Sequence, residues 1–264
     1  MAGLNQAGFS VARKIVTIGV CAALYTVIGL MTFLGFFTPV LGVVRFWPAV
    51  FVPAVFAMLF GPTVGGMGAA IGIFLSDLYV FYATGQTNPL LSLIAGVPAN
   101  FLGFYIIGRI GRSRVGWNGW RVSIPFIFLG IAALGPLAYV EYMISIGMVD
   151  TNVRWISTIL FFLAIVIFIL GLVGAKLRRE YLSYYVGGSL GLLIGGLWIG
   201  FGIWLYSQLF GLPITGQRID LALAIYFFLW VFGTEIPFIL VVPPILDVAY
   251  KAFPFLKPVW KDKG

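Results

Sequence analysis

The 264-residue chain contains no histidine and one cysteine, Cys21. Without histidine there is no imidazole base, no Ser-His-Asp triad and no ordinary zinc site. One cysteine cannot form an intrachain disulfide or a thiolate cluster. Charge is equally scarce: Asp, Glu, Lys and Arg make up 9% of the residues, against roughly 25% in soluble domains. So few charges cannot cover a water-facing surface. A soluble enzyme, a disordered tail and a nucleic-acid module are thereby excluded. The chain also lacks a Gly-x-x-x-x-Gly-Lys-Ser/Thr phosphate loop, so nothing in it is suited to hold ATP. No cofactor, metal site or catalytic residue is expected.

What the chain has instead is apolar mass, with 61% hydrophobic and 17% aromatic residues. The fold class this predicts is an all-α integral membrane protein, a polytopic bundle whose solvent is lipid. A helix needs about 20 apolar residues to cross ~30 Å of hydrocarbon. Eight segments are candidates: 15–37, 46–60, 62–82, 89–108, 122–148, 155–175, 182–210 and 220–248. The second is short for a span and runs into the third through the Gly61-Pro62 turn. Pro48, Pro53, Pro98, Pro125, Pro136 and Pro237 fall inside these segments. Neighbouring helices can satisfy the carbonyls that prolines free.

Net charge is +8. With both termini cytoplasmic, thirteen of the sixteen basic residues fall on the inner side. They lie near residues 13–14, 109–121, 176–179 and 251–263, leaving Arg45, Arg154 and Arg218 outside. That asymmetry predicts a multi-pass protein of the cell membrane with both ends inside.

Small residues recur at four-residue spacing: Gly19 and Ala23; Gly61, Gly65 and Ala69; Ala95, Ala99 and Gly103; Gly187, Gly191 and Gly195, with Gly196 and Gly200 beside them. Such stripes serve either packing within the bundle or docking of another membrane subunit.

Ionisable groups inside spans are functional candidates by default. Asp77, Glu141 and Glu235 are placed in the outer or middle bilayer, with Arg45 at the outer mouth. Glu235 is the deepest, where a charge costs about 2.5–3.5 kcal/mol, so it is expected to face a cavity or a partner. Arg45 alternatively snorkels or pairs with Asp77. Asp77 alternatively bonds local backbone, and Glu141 a carbonyl freed by Pro136. Tyr79, Tyr142 and Trp230 lie near the acids along the chain and are candidates for stacking on a planar ligand. Asn100 is expected to bond across helices or to a ligand. The outer-half acids outnumber the bases, which disfavours an anionic substrate.

Residues 45–82 read Arg-Phe-Trp-Pro-Ala, then Leu59-Phe60-Gly61-Pro62, Gly65-Gly66 and Ser76-Asp77. The first helix carries Arg13-Lys14 and Gly19-x-x-x-Ala23. The last carries Glu235-Ile236-Pro237, Pro243-Pro244-Ile245-Leu246 and Lys251. This pattern resembles the substrate-binding S components of energy-coupling factor (ECF) transporters, over about residues 12–110 and 233–251. The resemblance implies no enzyme activity. It implies a subunit that binds a vitamin or similar micronutrient from outside. A transmembrane coupling subunit, docked on the Gly19/Ala23 face, and cytoplasmic ATPases then drive import. It also implies a lid, for which the polar loop 83–89 is the candidate. S components have six helices. The expected arrangement is therefore one transmembrane domain, 1–264, with four S-component-like helices in 12–110. Three spans in 122–210 include an inserted helical pair, followed by a last helix in 219–251 and a cytoplasmic tail in 252–264. The alternative is a self-sufficient proton-coupled secondary transporter using Glu235 or Asp77 as a relay, for which no inverted repeat is visible. A membrane-embedded enzyme has the least support.

Overall fold

A computed structural model describes residues 10–35, 40–41, 44–45, 47–113, 179–213, 215–240 and 242–257, with isolated positions between 141 and 177. Helix α1 is Val11–Gly35, α2 is Phe51–Phe60 after a 3-10 turn at Pro48–Val50, and α3 is Pro62–Thr84. Helix α4 spans Pro89–Gly111 and α5 spans Leu182–Phe210. Helices α6 (Leu221–Leu240) and α7 (Val242–Ala252) form one further apolar run. Between α1 and α2, β1 (Val40–Leu41) pairs antiparallel with β2 (Val44–Arg45). Among the described residues the architecture is all-α apart from that two-residue ladder. Among the described residues, five helical runs are long and apolar enough to cross a membrane: α1, α3, α4, α5 and α6–α7.

The segment expected as a span at 46–60 is helical, but thirteen residues rise only about 20 Å, against ~30 Å of hydrocarbon. Its length is limited at both ends. The β1–β2 ladder takes up residues 40–41 and 44–45, and Gly61 ends the helix at φ 108°, a conformation open to glycine. Pro62 then starts α3, where a missing N–H costs nothing. The expected spans at 122–148 and 155–175 lie largely outside the described residues. The expected spans at 62–82, 89–108, 182–210 and 220–248 coincide with described helices to within a few residues.

Successive helical runs alternate in direction, α6 and α7 counting as one. Gly68 of α3 lies against Cys21, and Gly72 against Ala22 and Tyr25, so α1 and α3 run parallel with α2 returning between them. Gly66 faces Phe101, whereas Gly96 faces Asp77, so α4 runs back along α3. Arg13, Lys14, Arg109, Arg112, Arg179 and Lys251 consequently collect at one end, and Arg45 and Arg218 at the other. The chain leaves α4 and re-enters at α5 at the same basic end.

The small-residue stripes of α4 and α5 meet each other. A Cβ on Gly103 would lie 3.0 Å from the Gly191 carbonyl oxygen, and one on Gly195 would lie 3.0 Å from the Ala99 oxygen. With no hydrophobic drive between helices in lipid, this backbone-level approach is what holds the pair together. Gly65 and Gly196 are filled in the same way by Ala57 and Phe228. Gly19 differs, since a Cβ there meets no heavy atom within 4 Å, and Ala23 is exposed. Helix α1 is accordingly peripheral, whereas α6 runs through the middle of the bundle.

Two prolines free a carbonyl that a distant side chain satisfies, and the end of α2 is treated alike. Pro98 cannot donate to Ile94, four residues back, and the Trp198 indole N–H does so at 3.0 Å. Pro243 cannot donate to Ile239, and the Tyr184 hydroxyl does. The Met58 and Leu59 carbonyls, open because α2 ends at Gly61, both accept from the Arg112 guanidinium, at 3.1 Å for Leu59. Such remote donors are what make the two prolines and the early helix end tolerable in an apolar medium.

Candidate functional site

A cavity of about 90 Å³ opens toward the end of the bundle that carries Arg45. Its walls come from five helices, from β2 and from the 85–88 loop. Helix α1 contributes Tyr25, α3 Asp77, α4 Ser92 and Asn100, α5 Ile199 and Ile203, and α6 Val231 and Glu235. Arg45, Trp47 and Thr87 close the rim. Four residues expected from the sequence to meet a substrate are thus brought together: Arg45, Asp77, Asn100 and Glu235.

Within this wall, Arg45 and Asp77 form an ion pair whose side chains are 10% and 9% exposed. The Ser92 hydroxyl donates to the other Asp77 oxygen at 2.6 Å. The Arg45 guanidinium also stacks 5.0 Å above the Trp47 ring, a favourable cation–π geometry. Asn100 accepts from the Tyr25 hydroxyl at 2.8 Å and donates to the Gly96 carbonyl at 2.9 Å. Tyr25 meets Trp47 and Phe104 edge-on, with centroids 6.3 and 6.1 Å apart. Glu235 is 8% exposed and lines a smaller adjoining cavity between α4 and α5 as well.

Helix α4 is shaped around this site. Asn88 caps it by accepting from the Leu90 N–H at 2.8 Å, the bond that an Asn-Pro start allows. A π-turn follows at Ser92–Gly96, where the Val97 N–H reaches five residues back to Ser92. A proline ring clashes with the carbonyl four residues earlier, and this wide turn immediately before Pro98 makes room for it. It also turns Ser92, Ala95 and Gly96 onto the cavity wall together. Such bulges occur often at functional sites.

The other sequence candidates lie elsewhere. Tyr79 is 45% exposed on the outside of α3, because two residues beyond Asp77 is about 200° around a helix. Trp230 is buried in a second apolar cluster with Ile203 and Tyr206, since five residues before Glu235 is about 140° off its face. Val231, four residues before, takes the position that the sequence reading gave to Trp230. Glu141 pairs with Arg154 at 2.8 Å with both side chains roughly half-exposed, and Tyr142 beside it is exposed. None of these four lines the cavity. The lid candidate 83–89 touches it through buried Thr87.

Tyr25, Trp47, Ser92 and Thr87 were not singled out as site residues. A signal existed for one of them: a buried Asn100 requires a partner, and Tyr25 is the tyrosine of the first apolar segment. No protein-family model matches the chain, nor does any curated protein or solved structure.

Proposed function

We propose that the chain is the membrane-embedded substrate-binding subunit of an ECF-type importer for a vitamin or similar small micronutrient. The carrying observation is the cavity: a concave, mainly apolar space with a few convergent polar groups is the ordinary form of a small-molecule site. It lies away from the basic end, which the positive-inside rule assigns to the cytoplasm. Both termini are cytoplasmic in this reading, and the cavity faces outward. The α1 face at Gly19 and Ala23, unlike the stripes of α4 and α5, has no partner among the described residues. That supports its assignment to the coupling subunit, with ATPases below.

The test is Ala23→Leu in a complex co-expressed with an ECF coupling subunit and its ATPases. Co-purification of the coupling subunit and ATP-dependent uptake should be lost, while ligand retention by the isolated chain persists. Loss of ligand with the complex intact would reverse the assignment.

One observation favours a second reading, a proton-coupled carrier acting alone. Glu235 lines both the larger cavity and the smaller one beyond it, as a carboxylate loaded from one side and emptied toward the other must. Uptake by the isolated chain in liposomes, driven by a pH gradient without ATP, would select it.

A further inference from the structure

The polar groups around the cavity are unequally committed. Arg45 is engaged by Asp77 and Trp47, Ser92 by Asp77, and Tyr25 and Asn100 by each other. The Arg45 and Asp77 charges cancel within their pair. The remaining acidic group among the described lining residues is Glu235, with no hydrogen bond or ion pair among those residues and 92% of its surface buried. An anionic ligand would have to compete with Asp77 for Arg45 while facing Glu235. A cation would meet the one uncommitted carboxylate.

We infer that the cavity takes a small ligand bearing an amine- or amidine-like cation, which docks on the Glu235 carboxylate. Size limits the ligand as well. With about 90 Å³ of space inside, the enclosed part of the ligand is small, on the order of one ring with one substituent. Its apolar body lies against Ile199, Ile203 and Val231, and its cationic head points to α6. This inference rests on the cavity being the substrate site and adds the charge and size of what it binds.

The experiment uses three probes of nearly equal shape: benzylamine, benzyl alcohol and benzoate. Each is titrated by calorimetry against the full chain in detergent, with no partner subunit present. Benzylamine should bind in the millimolar range expected of a fragment of this size. Benzyl alcohol should bind about ten- to hundredfold more weakly, the equivalent of one charge-assisted hydrogen bond, and benzoate weakest of all. Glu235→Gln should bring benzylamine down to the level of the alcohol. Glu235→Asp, which keeps the charge, should preserve the order. Benzoate binding as tightly as benzylamine, no binding of benzylamine, or an undiminished amine preference in Glu235→Gln would each overturn the inference. The wild-type order decides even if a variant fails to fold. Amine preference without ATP-dependent uptake in the full complex would overturn the importer reading alone. Uptake of a native ligand without amine preference would overturn this inference alone.

Discussion

Breaking the Arg45–Asp77 pair measures how strongly the cavity wall is held. Both side chains are about nine-tenths buried, so removing either leaves a charge that water reaches poorly. Loss of one partner from such a pair typically costs about 3–5 kcal/mol. Asp77→Leu and Arg45→Met should each lower stability by about that much. If the two acted independently, the double variant would lose about 6–10 kcal/mol. It should instead lose only about 1–2 kcal/mol, because replacing both charges by apolar groups of similar volume is often neutral. The residual loss comes from Ser92, whose hydroxyl would no longer have the Asp77 carboxylate to bond. The assay is equilibrium unfolding in mixed micelles, titrated with a denaturing detergent and followed by circular dichroism. Additivity of the two single losses to within about 0.5 kcal/mol would refute the pair as a coupled element and leave Arg45 as a headgroup-facing residue.

Two further substitutions test the helix contacts. At Gly191 an added Cβ would meet the Gly103 carbonyl and stand 2.6 Å from Ile107. Overpacking of about 1–3 kcal/mol then outweighs the helix-propensity gain of about 1 kcal/mol, so Gly191→Ala should destabilise in the same unfolding assay. Gly19→Ala meets nothing and should stabilise by about 0.5–1 kcal/mol, and equal effects at both sites would sink the distinction between inner seam and outer face. Trp198→Phe should cost about 0.6–2 kcal/mol by stranding the Ile94 carbonyl. Adding Pro98→Ala, which restores a backbone N–H there, should recover most of that loss, and failure to recover would show that Trp198 acts by packing.

Helices were legible because lipid imposes length and composition on them, and Leu182–Phe210 was placed to the residue. The shortness of the 46–60 segment was visible too, since Pro48 and Gly61-Pro62 bracket it. Which small-residue stripe faces inward was not legible. Gly19 and Gly191 both sit in small-residue patterns at four-residue spacing, and what lies across from each tells them apart. Asp77 and Glu235 stood out because ionised groups in lipid are costly. Their aromatic neighbours were misjudged because closeness along a chain is not closeness around a helix. Tyr25 and Trp47 join Asp77 and Glu235 on the cavity wall from other elements. The π-turn in α4 shifts helical phase in a way no periodicity encodes.

The two carbonyls whose side-chain donors come later in the chain, those of Ile94 and Met58, impose an order of assembly. Ile94 and Trp198 are 104 residues apart, so a chain inserted from its N-terminus carries an open carbonyl through the whole interval before α5 emerges. The same holds, more briefly, for Met58 before Arg112. Until its donor arrives, each carbonyl needs water or the insertion machinery, because hydrocarbon cannot hydrogen-bond it. Helices α2 and α4 therefore enter the membrane incomplete, α2 until the end of α4 arrives and α4 until α5 does. Truncation before residue 198 should leave a species retained by the biogenesis apparatus, whereas one extending past α5 is released.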